Sequence, residues 1–172
     1  NLNKEFCENI VDGIDNVELH HIDYDYMGLH DYDSVFRTTE FWKTITSDNI
    51  LIFQADTILL RTGIDEFLDY SYVGAPWLKP KEGKYVGNGG LSIRNKNRMI
   101  DIIKKYPNDD YFKEDIYFIK YLNNEDIAPI EVAERFAVED LYYNDPLGLH
   151  QPKIQYKYLK ILMKQGINNI NY

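Results

Sequence analysis

The chain has a single cysteine, Cys7, among its 172 residues. An internal disulfide and a cysteine-based zinc site are thereby excluded. No run of about 18 apolar residues occurs, so the sequence contains no ordinary membrane-spanning helix. A basic stretch followed by an apolar one, the mark of a secretory signal, is missing, and so is an Asn-x-Ser/Thr acceptor. The composition is of cytosolic type and leaves the compartment open. Basic residues are the scarcer charge: 19 Lys and Arg stand against 28 Asp and Glu, a net charge of −9. Such a surface repels phosphate backbones and argues against a nucleic-acid partner. A phosphorylated ligand would need a cation to screen it. Pro-rich or Gly/Ser-rich linkers, repeats and low-complexity blocks are lacking as well, so residues 1–172 read as one domain.

What is present fits a folded domain. Hydrophobic residues make up 44% and charged residues 27%, which leaves no case for wholesale disorder. Phe6, Ile10 and Ile14 recur every four residues and predict a helix over Asn3 to Ile14. Val17 to Ile22 reads as a short strand, and Asp23 to Val35 as a loop rich in Asp and Tyr. Thr38 or Thr39 caps a short helix running to Ile45. Ile50 to Phe53 is a continuous apolar run, expected as a central strand buried on both faces. Gly63 to Leu68 suggests a turn or one helical turn, Tyr70 to Gly74 a strand closed by Pro76 and Trp77, and Leu78 to Lys84 a mobile loop. Leu91 to Arg94 reads as a strand. Helices are expected over Lys96 to Tyr106, Phe112 to Leu122 and Tyr156 to Lys164, with Ile130 to Val138 a helix or a strand–helix mixture. Interleaved strands and helices give an α/β class with a mixed sheet.

Four segments carry chemistry. Asp56, in Phe53-Gln54-Ala55-Asp56-Thr57, directly follows the apolar strand. A carboxylate there opens toward the crevice where α/β proteins bind ligands and offers oxygen to a hard cation; equally, it caps the next turn. Asn88-Gly89-Gly90 precedes a strand and either exposes backbone amides to a ligand or makes a hairpin turn. Glu114-Asp115 opens a helix, where paired carboxylates complement the helix dipole or supply a base. His150 lies between Gly148 and Pro152 and reads as a loop histidine, most simply a surface one, with Lys153 three residues on.

The order of these segments is more specific than any one of them. An apolar strand with Asp56, then Gly74-Ala75-Pro76-Trp77, Asn88-Gly89-Gly90, Glu114-Asp115 and Gly148-Leu149-His150 resembles a domain-of-unknown-function family related to A-type-fold (GT-A) glycosyltransferases. The resemblance runs from Ile50 to Lys153. It implies a mixed, mostly parallel sheet flanked by helices. It also implies metal-dependent transfer of a sugar from a nucleotide-sugar, expected as a UDP-sugar, to an acceptor hydroxyl with inversion.

Asp56 and His150 would hold Mn²⁺ or Mg²⁺. Gln54, Asn88, Gly89, Gly90 and Lys153 would contact the donor, and Trp77 would stack on the acceptor. Asp115 would be the general base, with Glu114 the second choice. The alternative is a non-catalytic module of the same fold that binds a nucleotide-sugar or glycan. A metal-dependent phosphate-ester hydrolase ranks third, because only Asp56 stands at a convincing strand end. The sequence opens on Asn1 rather than Met, and about one helix and one strand precede Ile50. It is therefore expected to be part of a longer protein, lacking the first βα unit of that fold. An open sheet edge would follow, either pairing with a second copy or capped by Asn1 to Ile22.

Overall fold

The computed structural model describes residues 3–22, 27–107 and 113–151. The expected C-terminal helix over Tyr156 to Lys164 and the donor contact Lys153 lie outside these residues. In chain order the elements begin with helices α1 (Lys4–Val11), α2 (Leu29–Phe36) and α3 (Thr39–Lys43), then strands β1 (Asn49–Phe53) and β2 (Thr57–Leu59) and a 3₁₀ turn, Ile64–Phe67. Strands β3 (Tyr72–Gly74), β4 (Pro76–Lys81), β5 (Lys84–Val86) and β6 (Leu91–Asn95) follow. The remainder is α4 (Lys96–Lys105), α5 (Glu114–Tyr121), a second 3₁₀ turn at Asn124–Asp126, α6 (Ile130–Phe136), β7 (Ala137–Val138) and β8 (Gly148–His150).

The class is mixed α/β, as expected, but the sheets are small and mostly antiparallel. In the first, β6 lies between β1 and β3 and is antiparallel to both. In the second, β8 runs antiparallel to β2 and parallel to β7. The third is the β4–β5 hairpin. Strand alternation divides the core in two. Ile50, Ile52 and Tyr72 face one apolar cluster, with Trp42, Met99, Ile102 and Phe118 from the helices. Val73, Leu91 and Ile93 face the other, with Phe67, Phe136 and Leu147. The central strand is thus β6, not the expected Ile50 to Phe53. Among the described residues β1 is an edge strand, and its last residue, Phe53, is exposed. Its continuous apolar run reflects Leu51 packing partly against the second cluster, not burial between two neighbours.

Local chemistry explains the elements that match expectation. The Thr38 hydroxyl accepts from the Phe41 N–H and caps α3. The Asn95 side chain does the same for α4 through the Arg98 N–H, and Lys104 and Lys105 sit favourably in its last turn before Pro107. Ile130 to Val138 is a strand–helix mixture in the order α6 then β7.

Other expectations fail for identifiable reasons. Val17 to Ile22 forms no strand. Among the described residues the apolar side of α1 meets no core, and Phe6, Ile10 and Ile14 are exposed. Leu29–Phe36, expected as loop, is a helix. The Asp31 carboxylate accepts from the Gly28 N–H at its start, and Phe36 packs into the aromatic group around Trp42. Leu78 to Lys84 is not a mobile loop: Glu82 and Gly83 have φ of 49° and 74°, the type I′ geometry that closes a two-residue hairpin. The helix expected over Phe112 to Leu122 is α5, with Glu114 its first helical residue and Lys113 its N-cap; Phe112 lies outside the described residues.

A cleft where four sequence-distant segments meet

Strand pairing builds the site. In the β2–β8 register Thr57 stands opposite His150, which brings the turn before β2 against the end of β8. The Asp56 carbonyl accepts from the Gln151 N–H at 3.3 Å. Gly90 fastens the same turn from the other side, because its carbonyl accepts from the Gln54 N–H at 2.8 Å and the Thr57 hydroxyl at 3.2 Å. Asp56 and His150, 94 residues apart in sequence, end with Oδ1 and Nε2 3.5 Å from each other. The Gln54 Oε1 lies 3.0 Å from the same Nε2. His150 is not the surface loop histidine that its flanking Gly and Pro suggest. It is the last residue of β8 and only 4% exposed, because strands β2 and β7 enclose β8 on both sides.

The glycines at 89 and 90 are there for space. A Cβ on Gly90 would fall 2.0 Å from His150 Nε2. One on Gly89 would fall 2.6 Å from Glu114 Oε1 and 2.9 Å from the Asp115 Cβ. The loop therefore lies flat between the imidazole and the start of α5. Asn88 secures it: its Oδ1 accepts from the Gly90 N–H at 3.0 Å, and its Nδ2 donates to Glu139. The predicted hairpin-turn alternative for this loop does not hold, since Asn88 to Gly90 link β5 to β6, which lie in different sheets.

The two acids of α5 have separate fates. Glu114 is buried and forms a two-pronged ion pair with Arg94, one arm at 2.8 Å. The Arg94 guanidinium is fully buried against the rings of Tyr72 and Phe118. Burial pushes the Glu114 carboxyl up, with the Arg94 charge and hydrogen bonds pulling the other way. Burial likewise works against the Arg94 charge, but Glu114 outweighs it and the guanidinium stays ionised. Glu114 as a second-choice base is thereby corrected: both its oxygens are committed to Arg94. Asp115 lines the cleft, half-buried. The Asp33 carboxylate accepts from the Glu114 N–H at 3.0 Å and anchors the helix start from α2, and its own carboxyl is pushed up by burial.

One cleft of about 500 Å³ is lined by Gln54, Asn88, Gly89, Gly90, Asp115 and His150 among others; Asp56 is not among its walls and reaches it only through its 3.5 Å approach to His150. Trp77 is not among its walls. It sits in the core beside Ile119 and Val86 with Lys81 over its ring at 4.1 Å, so the expected acceptor contact is corrected to a core anchor. Several lining residues escaped the sequence reading, Tyr32, Asp33 and Glu139 among them. Tyr32 and Asp33 lie in the stretch read as loop, and Glu139 follows β7 in another Glu-Asp pair, Glu139-Asp140, one of three in the chain with Glu114-Asp115 and Glu125-Asp126.

Comparison with known families matches residues 16–150 to DUF5672, described as a protein of unknown function. The chain belongs to that family. All four segments of the cleft, from Gln54 to His150, fall inside the matched range. No curated protein matches the chain, and no solved structure does. Among the described residues no helix is long and apolar enough to cross a membrane. No group of three or more His, Cys, Asp or Glu among them is arranged to hold a metal ion.

Proposed function

We propose that this DUF5672 member is a glycosyltransferase of the A-type fold that uses Mn²⁺ or Mg²⁺ to move a sugar from a UDP-sugar to an acceptor hydroxyl with inversion. The observation that carries the reading is the meeting of the Gln54–Asp56 turn, the Asn88–Gly90 loop, Asp115 and His150 at one cleft. The donor set suits such an ion. A carboxylate oxygen and an imidazole nitrogen 3.5 Å apart match two adjacent positions around a cation with bonds of about 2.0–2.4 Å. A mixed N,O pair favours manganese over magnesium. Two protein ligands leave positions for the oxygens of a diphosphate, which suits a cation that arrives with its substrate. When bound, the ion would neutralise charge developing on the departing diphosphate.

The chain's own residues supply the rest. Gly89 and Gly90, without side chains, let the donor sugar lie against the loop. Asn88 and Gln54 orient it by hydrogen bonds, and Lys153, outside the described residues, is assigned a point charge for the phosphates by the resemblance alone. Asp115 takes the proton of the acceptor hydroxyl as its oxygen bonds to the anomeric carbon, and the bond from that carbon to the phosphate oxygen breaks. Arg94 and Glu114 keep α5 from rotating, so the Asp115 carboxylate stays at the wall of the cleft. The acidic surroundings of Asp33, Asp115 and Glu139 account for the need for a cation before a diphosphate can enter.

A thermal-shift panel of nucleotide-sugars with and without Mn²⁺, followed by turnover of any stabilising donor, tests the reading. Stabilisation by a UDP-sugar only with the metal, and release of UDP, are expected. Metal-dependent binding without UDP release would favour the binding-module alternative, and no stabilisation by any donor would remove both.

A further inference from the structure

Among the described residues one buried side-chain atom at the cleft has no hydrogen-bond partner, His150 Nδ1. A ring nitrogen left so costs roughly 1–3 kcal/mol. The acceptor placed against it is Glu139 Oε2 at 3.5 Å, on a side chain only 14% exposed. Glu139 is itself held from behind, because Asn88 Nδ2 donates to the same oxygen while the Asn88 Oδ1 takes the Gly90 N–H. The carboxylate is therefore fixed by the loop that packs across the imidazole, and a small rotation of either group closes the gap.

The other edge of the ring is turned to the cleft. Nε2 faces Gln54 Oε1 at 3.0 Å and Asp56 Oδ1 at 3.5 Å, and Tyr32 lines the same cleft beside Gln54. A neutral imidazole carries one proton. If it sits on Nε2, Gln54 is satisfied, but Nδ1 presents a bare lone pair to a carboxylate. If it sits on Nδ1, it is donated to Glu139, and the Nε2 lone pair faces the cleft. The Gln54 amide then turns to present its NH₂ to Nε2. The second arrangement leaves the bare Nε2 beside the Asp56 carboxylate, which is half-exposed and solvated by water or screened by a cation; the first sets Nδ1 against the Glu139 carboxylate, which is only 14% exposed.

We infer that Glu139 is a positioning residue, which holds the His150 proton on Nδ1 and so keeps Nε2 bare toward the cleft. This rests on the proposed reading of His150 as a cation ligand, since a carboxylate behind a ligating histidine fixes its tautomer and raises its basicity. It goes beyond that reading by assigning a role to a residue that would touch neither cation nor donor.

The test separates the two ideas. Side-chain ¹⁵N–¹H correlation spectra of the metal-free protein are recorded at about pH 8.5, where imidazoles of ordinary pKa, ~6.5, are neutral. The His150 signals are assigned by their loss in His150→Gln. The wild type is expected to show the Nδ1–H tautomer, Glu139→Gln to retain it through its amide oxygen, and Glu139→Ala to shift to Nε2–H. Mn²⁺ binding to the same three proteins, followed by electron paramagnetic resonance, is expected to weaken about 10–100-fold in Glu139→Ala and much less in Glu139→Gln. A wild-type Nε2–H tautomer overturns the inference even if Glu139→Ala fails to fold, and so does an unchanged tautomer in Glu139→Ala. A wild type with the expected tautomer but no Mn²⁺ binding keeps the Glu139–His150 contact and overturns the cation reading.

Discussion

Glu114→Gln should unfold far more easily than wild type, while its neighbour Asp115→Asn should not. The structure sets the size of the effect. Arg94 is fully buried, and its charge is met by the two oxygens of Glu114 and by the faces of Tyr72, Phe118 and Phe36 at 4.9, 5.6 and 5.7 Å. The isosteric amide keeps the volume and one acceptor but removes the only carboxylate paired with that guanidinium among the described residues. Ring faces contribute about 0.5–2 kcal/mol each and cannot replace a full charge. Breaking a buried pair from one side costs roughly 3–5 kcal/mol. For a domain of this size each kcal/mol moves Tm by about 2–4 °C, so the fall should be on the order of 6–20 °C. Asp115 is half-buried at the cleft wall and its carboxylate accepts from the Ile116 N–H, a contact that an amide oxygen keeps. Its substitution should stay within about 0.5 kcal/mol. Urea unfolding of the three proteins, read by circular dichroism, makes the comparison. A Glu114→Gln protein within about 1 kcal/mol of wild type would refute the division of labour between the two acids. So would an Asp115→Asn protein that falls as far as Glu114→Gln.

Three further outcomes follow from the same geometry. Asp115→Asn should lower kcat of a donor-active protein by roughly 10²–10⁴ with little change in donor KM, measured by UDP release. Gly90→Ala drives a methyl group into a buried imidazole, so it should cost about 1–3 kcal/mol in urea unfolding and abolish Mn²⁺ binding; an unaltered protein would mean the loop is free to shift. Burial alone would raise the Asp126 carboxyl, but the Arg98 hydrogen bond, the Asn123 N–H and the Ser71 hydroxyl outweigh it and hold the pKa below the ordinary value. A depressed carboxylate adds stability above its unfolded pKa, about 3.9, and that stability is lost as the pH falls through the lower folded value. Asp126→Asn should therefore be less stable than wild type at pH 7, with the difference closing below about pH 4.

The parts of the fold legible in the sequence are those set by local chemistry. Thr38, one of the two caps expected, starts its helix, Pro107 follows the end of α4, and Gly63 to Leu68 is one helical turn. What escaped depends on partners distant in sequence. The apolar run of β1 cannot say whether one strand or two lie beside it, and only its pairing with β6 alone decides that it is an edge. Leu29–Phe36 looks like loop because its helix is polar outside and buries only Phe36. His150 looks like a surface residue because the strands that bury it come from positions 57–59 and 137–138. The order of the motifs compensated for this. It brought Asp56, His150, Asn88–Gly90 and Asp115 into one hypothesis; in the structure His150, Asn88–Gly90 and Asp115 line one cleft and Asp56 stands 3.5 Å from His150, while Glu114 is tied up by Arg94 and Trp77 lies in the core.

Calorimetric titration of UDP into the protein, with and without Mn²⁺, tests the central claim most directly. It is run on wild type, Asp56→Asn and His150→Ala. The account predicts wild-type binding that strengthens at least about tenfold with the metal, a gain of ~1.4 kcal/mol, and loss of that gain in both variants. UDP binding of equal strength with and without Mn²⁺, or a metal-dependent gain that survives in both variants, would contradict it.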